Sequence, residues 1–214
     1  MNYSWGMRVT VFGASGKVGQ QVVALELGKG YSVTAFVHSH NPFKANKDLK
    51  IVTGGIEDQL AIGRALEDSD AVISALGSWH TKSKRVLTCG MNTIIPTMEE
   101  QGIRRIITVT GTGALWSGDK PSALDKLNHS LLKLVAPKVL LDGEEHIRLL
   151  AASKLDWTCV RSPVMTRDTS TKYRLRLKLP GPLATIPRSA VAQCLVDRLE
   201  TRDYIRAAPV MYRA

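Results

Sequence analysis

Short β-branched runs alternate along this chain with longer segments whose apolar residues recur at helical spacing, the order expected of βαβ units feeding a parallel sheet. Arg8 to Phe12 reads as the first strand. A helix from about Gly16 to Leu27 follows it and stops at Lys29-Gly30. Ser32 to Val37 and Leu49 to Thr53 are the next strands, Asp58 to Leu66 is a short helix, and Ala71 to Leu76 fits a strand covered on both faces. Leu87, Met91, Ile94, Ile95 and Met98 give a helix from Arg85 to Gln101 one apolar face, with a bend predicted at Pro96 and a stop at Gly102. Arg105 to Thr110 is the fifth strand and leads into Gly111-Thr112-Gly113. Val139 to Ala152 reads as a helix and Trp157 to Arg161 as the sixth strand, while Val191, Cys194, Leu195 and Leu199 mark a last helix.

Pro163 to Pro187 breaks this alternation with four prolines and is predicted to form a small cap over the site. Within it Lys172, Arg174, Arg176 and Lys178 share one face of an extended run, and Tyr173, Leu175, Leu177 and Leu179 share the other. A solvated edge strand guarded by charge is favoured there over an anion-binding face. The fold class is therefore α/β: one domain over residues 1–214, a Rossmann-type doubly wound parallel sheet with a small C-terminal excursion on the substrate side.

Composition adds limits rather than chemistry. With 214 residues, 44% hydrophobic and 22% charged, the chain is long enough to enclose one sizeable core. Its apolar stretches are too short to cross a bilayer, and Met1 to Arg8 has no signal-peptide core, so a cytoplasmic protein without a membrane partner is expected. Cys89, Cys159 and Cys194 lie far apart in apolar surroundings and read as buried thiols, and His38 and His40 lack neighbouring ligands, so no metal is expected. The formal charge of +10 attracts polyanions in general. Without zinc-finger spacing or aromatic RNP-like motifs, nucleic acid is an unlikely partner.

One segment carries specific chemistry. Gly13, Gly16 and Gly19, with Ala14, Ser15, Lys17 and Val18 between them, stand between a predicted strand and a predicted helix. Gly13 lets the chain turn off the strand, Gly16 lets backbone approach a pyrophosphate, and Gly19 permits close helix-on-strand packing. Free N–H groups at the helix start then face the anion. An NAD-preferring protein carries Asp or Glu after the second strand to hold the ribose hydroxyl. Here Val37-His38-Ser39-His40 follows, no carboxylate occurs between Glu26 and Asp48, and His38, Lys44, Lys47 and Lys17 suit a 2′-phosphate. NADP(H) is therefore expected over NAD(H).

The Gly13–Gly19 segment, Gly54-Gly55-Ile56-Glu57-Asp58, Val72 to Gly77, Leu155 to Pro163 and Ile186 to Ala192 together resemble the NmrA-like atypical short-chain dehydrogenases/reductases, and within them the flavin-reductase type. The resemblance spans nearly the whole chain. It implies that Ile56 flanks the adenine, that Leu76 and Gly77 pass under the adenosine ribose, that Thr110 lies beside the nicotinamide, and that Pro163 and Val164 sit against its carboxamide. It also implies a substrate-pocket role for His146, for which an exposed imidazole on an acidic helix turn is the equal alternative. Two positions depart from the family pattern: Gly55 stands where relatives carry Asp, and Gly111 where they carry Ser. Thr110 and Thr112 are then the nearby hydroxyls.

Reduction of a simple carbonyl makes a strongly basic alkoxide, which short-chain enzymes protonate with Tyr and a Lys four residues later. No tyrosine here has Lys at that spacing. A conjugated acceptor spreads the incoming charge, so holding a planar ring against the hydride donor does most of the work. Trp79 and Trp116 fall after the fourth and fifth strands, where ligands bind in open α/β sheets, and either could stack on such a ring or serve as a lid or core aromatic. The expected function is an NADPH-dependent reductase of flavins, quinones or related planar acceptors. The alternative is a non-catalytic NADP-binding redox sensor that docks to a protein partner.

Overall fold

The computed structural model describes residues 6–78, 81, 83–181 and 183–214. From the N-terminus it runs β1 (Arg8–Phe12), α1 (Lys17–Gly28), β2 (Ser32–Val37), β3 (Leu49–Thr53), α2 (Gln59–Leu66), β4 (Ala71–Ser74), α3 (Val86–Glu100) and β5 (Arg105–Gly111). It continues through α4 (Ala123–Val135), α5 (Pro137–Ala152), β6 (Asp156–Ser162), β7 (Val164–Thr166), β8 (Tyr173–Arg176), β9 (Thr185–Pro187), α6 (Arg188–Glu200) and β10 (Val210–Arg213).

Eight strands form one sheet in the order β3-β2-β1-β4-β5-β6-β10-β8. All neighbours are parallel except the outermost pair, in which β8 runs antiparallel to β10. From β1 the chain works outward through β2 and β3, then crosses back to β4 on the other side of β1. That reversal opens a crevice beyond the carboxyl ends of β1 and β4. α1 and α6 cover one face, packing Val18, Val22, Val191 and Leu195 onto the sheet, and α2, α3 and α5 cover the other with Ile62, Leu66, Met91, Ile94, Ile147 and Leu150. Covering on both faces explains why β4 is buried at every position and reads as an unbroken run rather than an alternation.

Several expected boundaries move for local reasons. Asp58 is the N-cap of α2 and accepts from the Ala61 amide at 3.0 Å, which stabilises the helix start by about 1 kcal/mol. β4 ends at Ser74, two residues before the expected Leu76, because the chain leaves the ladder to pass the turn at Gly13. α3 runs through Pro96 as one element. α4 and β10 have no counterpart in the sequence reading. In the excursion from Pro163 to Pro187, β8 forms the sheet's outer edge, with Arg174 and Arg176 exposed and Tyr173 and Leu175 half-buried. β7 and β9 pair separately in parallel, with Thr166 opposite Pro187.

One buried group on α1 opposes its surroundings. Glu26 is fully buried, and neither carboxyl oxygen has a hydrogen-bond partner among the described residues. Burial pushes its pKa up to about 7, against the pull of Lys29.

Candidate functional site

Gly13 closes β1 with φ +71, a left-handed conformation, and a Cβ there would stand 2.8 Å from the Ala75 carbonyl carbon and 2.9 Å from the Leu76 nitrogen. Only glycine permits that approach of the β1 turn to the end of β4. At Gly19 an added Cβ would collide with the Gly13 carbonyl oxygen, so the helix lies directly on the turn. Gly16 is the N-cap of α1 and donates its amide to Gly13 O at 3.0 Å. Among the described residues no side chain caps this helix, and its first turn holds no acidic residue, so its leading amides face outward without a side-chain partner there and its positive dipole end is unopposed. Ser15 is half-buried, Gly16 and Lys17 are exposed, and Val18 and Gly19 are buried beneath.

A cavity of about 450 Å3 opens beside this turn, walled by Lys17, Gln20 and Gln21 of α1 and by Arg167, Asp168 and Arg188. The β7–β9 register explains the pairing of the two arginines: Thr166 lies opposite Pro187, so the chain continues on both strands into an arginine, and Arg188 Nη1 donates to Thr166 O at 3.2 Å. Asp168, the carboxylate in the wall, is engaged by Arg213. Lys17, Arg167 and Arg188 form no ion pair among the described residues, so the positive field in the cavity is unspent.

On the other side of β1, His38, Ser39 and His40 leave β2 exposed. Ile56 and Leu76 meet above Gly90 of α3, where a Cβ would lie 2.9 Å from Leu76 Cδ1 and 3.1 Å from Ile56 Cγ1. Gly55 and Gly77 border open space. The loop after Gly77 is anchored by a residue from a distant helix. Asp142 of α5 is buried and accepts from the α3 amides of Leu87 (3.1 Å) and Thr88 (2.9 Å), from Thr88 Oγ1 (2.7 Å) and from the Ser78 hydroxyl. It caps a helix whose own N-cap residue, Arg85, supplies no side-chain bond. Asp142→Asn turns an acceptor into a donor against these donors, and a loss of about 2 kcal/mol in urea unfolding is expected, with weakened coenzyme binding. Unchanged stability would show that the cap is dispensable.

At the far end of the crevice Thr110 is buried, and Gly143 of α5 approaches so closely that a Cβ would stand 2.7 Å from its hydroxyl oxygen. Thr112 is half-buried and donates its amide to Ser162 O at 3.0 Å. Pro163 is buried, whereas Val164 is exposed. His146 is not exposed: it lies wholly inside, neither ring nitrogen has a partner among the described residues, and burial pushes its pKa down to about 4 although Asp142 pulls the other way. It is therefore a neutral, sealed imidazole at ordinary pH. Trp116 is half-buried and packs edge-on against Trp157, with ring centroids 5.8 Å apart, which fixes it as a wall of the β5–α4 loop. Trp79 lies outside the described residues.

That loop is held by a buried ion pair. Arg161 of β6 donates from Nη1 and Nη2 to the two Asp119 oxygens at 2.6 and 2.7 Å, from Nε to Ala208 O at 2.9 Å and from Nη1 to Ala114 O at 3.1 Å. The four described tyrosine hydroxyls point to structural partners instead: Tyr31 to Glu200, Tyr173 to Asp197, Tyr204 to Leu175 O and Tyr212 to Lys178 O. None serves as a proton donor in the crevice.

The structure thus gathers Gly13, Ser15, Gly16, Lys17, Val18, Gly19, Leu76 and Gly77 at the switch point, with Ile56, Thr110, Thr112, Pro163 and Val164 along the same sheet edge and His38 at the end of β2. It adds Gly90, Asp142, Arg161, Arg167 and Arg188, which the sequence reading missed because their partners lie far away along the chain.

A family model for NAD(P)H-binding proteins matches residues 13–202. Among solved structures, a short-chain dehydrogenase/reductase from Veillonella parvula in complex with NADP superimposes with a TM-score of 0.79 at 20% identity, covering 97% of this chain and 94% of that one. An anaerobillin reductase from Escherichia coli O157:H7 gives 0.75 at 18% identity, with 97% of each chain covered. The oxidoreductase ylbE from Lactococcus lactis gives 0.79 at 17% identity, covering 97% of this chain and 91% of that one. At these identities the likeness is one of fold.

Proposed function

The chain belongs to the NAD(P)H-binding family, and from that premise we propose that it is an NADPH-dependent reductase of planar conjugated acceptors such as flavins or quinones. The observation that carries this reading is the uncapped start of α1 at the switch point, opened by Gly13 and Gly16 and flanked by Lys17, Arg167 and Arg188. These groups fit a dinucleotide. Among the described residues only Gly13 O comes within 4 Å of the Gly16 Cβ position, so the backbone is open to a diphosphate, and the amides and cations there complement its charge. A bound nicotinamide coenzyme supplies the hydride.

The chain's own part is binding and orientation. The amides at the start of α1, with Lys17 beside them, hold the diphosphate, and His38 meets the 2′-phosphate at a strand end without a carboxylate. Ile56, Leu76 and Gly77 flank the adenosine, while Thr110, Pro163 and Val164 position the nicotinamide. With His146 sealed and the described tyrosines engaged elsewhere, Thr110 and Thr112 are the hydroxyls left near the reacting end, and solvent supplies the proton. This suits an acceptor that delocalises charge better than it suits a simple ketone.

Thermal-shift titration tests the first half: NADPH is expected to raise the melting temperature by the equivalent of about 2.7 kcal/mol at a hundredfold excess over its Kd, and NADH at the same concentration by less. Arg167→Gln with Arg188→Gln is expected to weaken NADPH about tenfold or more, in keeping with loss of charge-assisted hydrogen bonds to phosphate. No shift with either coenzyme refutes the site. NADPH oxidation followed with riboflavin, FMN, a quinone and biliverdin tests the second half, and absence of turnover with all four refutes the reductase reading alone. The sealed His146 favours one other reading, a redox sensor that binds coenzyme without turnover and captures a protein partner in one coenzyme state.

A further inference from the structure

The outer edge of the sheet is basic. β8 lies beyond β10 and, among the described residues, no strand lies beyond β8. Its two sides differ as a two-residue period requires. Tyr173 and Leu175 are half-buried and pack on the core that α1 and α6 cover, where the Tyr173 hydroxyl donates to Asp197 Oδ2 at 2.6 Å. Tyr204, in the turn after α6, donates its hydroxyl to Leu175 O at 3.3 Å, so the strand is fixed in place. Arg174 and Arg176 stand on the opposite side and are exposed, next to Tyr212 of β10. Arg174 lies directly across the ladder from Tyr212, and the Arg176 guanidinium carbon is 5.4 Å from its ring centroid.

Lys172 and Lys178, also exposed, extend this row at its two ends, and Lys178 O accepts from the Tyr212 hydroxyl at 2.7 Å. Where the chain is extended, consecutive cations of the row are about 7 Å apart, two residues on. None of the four has an ion-pair partner among the described residues. The nearby carboxylates are committed elsewhere. Asp125, within electrostatic reach of Lys178, accepts from the Ser122 amide and hydroxyl, Asp197 from Tyr173 and Gln193, and Asp168 from Arg213.

We propose that β8 is the docking edge for an acidic segment of another protein, which adds to the sheet as a further strand. Its carboxylates, at alternate positions, lie against Arg174 and Arg176, and the apolar residues between them lie beside Tyr173 and Leu175. Charge selects an acidic partner, and the edge selects an extended one. An antiparallel strand bonds its neighbour through every second residue and turns the N–H and C=O groups of the others outward. A peptide strand pairs with those groups, whereas a nucleic acid meets the cations alone. A second copy of this chain is barred, because pairing β8 with β8 sets arginines and lysines against one another across the ladder. The expectation of an edge guarded by charge accounts for that barrier, and the same charges are complementary to an acidic strand. The inference rests on no residue of the coenzyme site.

The test is fluorescence anisotropy of the full chain with a labelled peptide of strand length that alternates glutamate and valine. Binding that weakens with salt is expected. Arg174→Glu with Arg176→Glu should weaken it about tenfold or more, since two cross-strand attractions become repulsions. Methylating the peptide's backbone amides, which keeps its charge and removes its donors, should abolish it. Both arginines are exposed and free of ion pairs among the described residues, so an unlowered melting temperature and unchanged NADPH binding accompany the loss and separate it from misfolding. The proposal is overturned if the wild type ignores the peptide, or if the charge-reversed variant binds it equally well. Equal binding of the methylated peptide overturns it too, because charge alone then holds the ligand. So does an oligouridylate that binds more tightly than the peptide and displaces it, since the surface then belongs to nucleic acid.

Discussion

Replacing Arg161 with methionine is expected to destabilise the fold by about 3–5 kcal/mol, the usual penalty for removing one member of a buried ion pair. Arg161 is fully buried and the Asp119 side chain is 3% exposed, so the surviving carboxylate would be left charged and dry, with the carbonyls of Ala114 and Ala208 unpaired as well. Arg161→Lys does not rescue, because a single ammonium cannot span both Asp119 oxygens and two carbonyls. Arg161→Met with Asp119→Leu is expected to recover much of the loss, since both charges are gone and the volume is kept. The fork also holds the β5–α4 loop: Asp119 accepts from the Trp116 amide at 3.0 Å, so the single variant should also loosen Trp116 and change its fluorescence. Urea midpoints for the two single variants and the double give the coupling directly. A single variant within 1 kcal/mol of wild type would falsify the assignment of this pair as the loop's anchor.

How much of this was readable beforehand follows from the range of the forces involved. β1 and β2 have the expected bounds because a strand covered on both faces is apolar nearly throughout, and β3, at the sheet's edge with Lys50 and Thr53 exposed, because Ile51 to Thr53 still forms a short β-branched run ended by Gly54-Gly55. Gly13 and Gly19 were legible for a similar reason: a positive φ and a helix pressed on a turn are local demands that only glycine meets. His146 shows the limit. Its acidic neighbours Glu144 and Glu145 suggest a surface position, yet a helix of 3.6 residues per turn places it in line with Asp142, Gly143, Ile147 and Leu150, which are all buried. α4 carries a clear helical period in Leu124, Leu127, Leu131 and Leu134, but a period says that a face exists and not what it meets. The partners of Asp142, Arg161 and Arg188 are set by tertiary approach across tens of residues, and no local pattern encodes them.

Glu26 and His146 make opposite and nearly cancelling contributions to stability as pH changes, and separating them is the most informative solution experiment on the fold. The folded pKa of Glu26, about 7, lies above its ordinary 4.5, so the native state holds a proton that the unfolded chain has released. Its contribution is full below pH 4.5 and is lost as pH rises through 7. His146 runs the other way: its folded pKa of about 4 lies below the ordinary 6.5, so the unfolded chain takes up the proton first as pH falls. Its contribution is full above pH 6.5 and is lost as pH falls toward 4. Each amounts to about 3 kcal/mol across its range. In the wild type the two slopes offset one another between pH 4.5 and 6.5, giving a plateau with falling stability on the alkaline side. Glu26→Met, which removes an unpartnered buried carboxyl, should raise stability at pH 8 by about 2 kcal/mol or more and leave a profile that climbs with pH through the acid range. His146→Leu should leave the opposite profile, falling steadily from pH 5 to pH 8 as Glu26 ionises. If both variants kept the wild-type profile, neither group would be as deeply desolvated as its burial requires, and α1 and α5 would have to admit water.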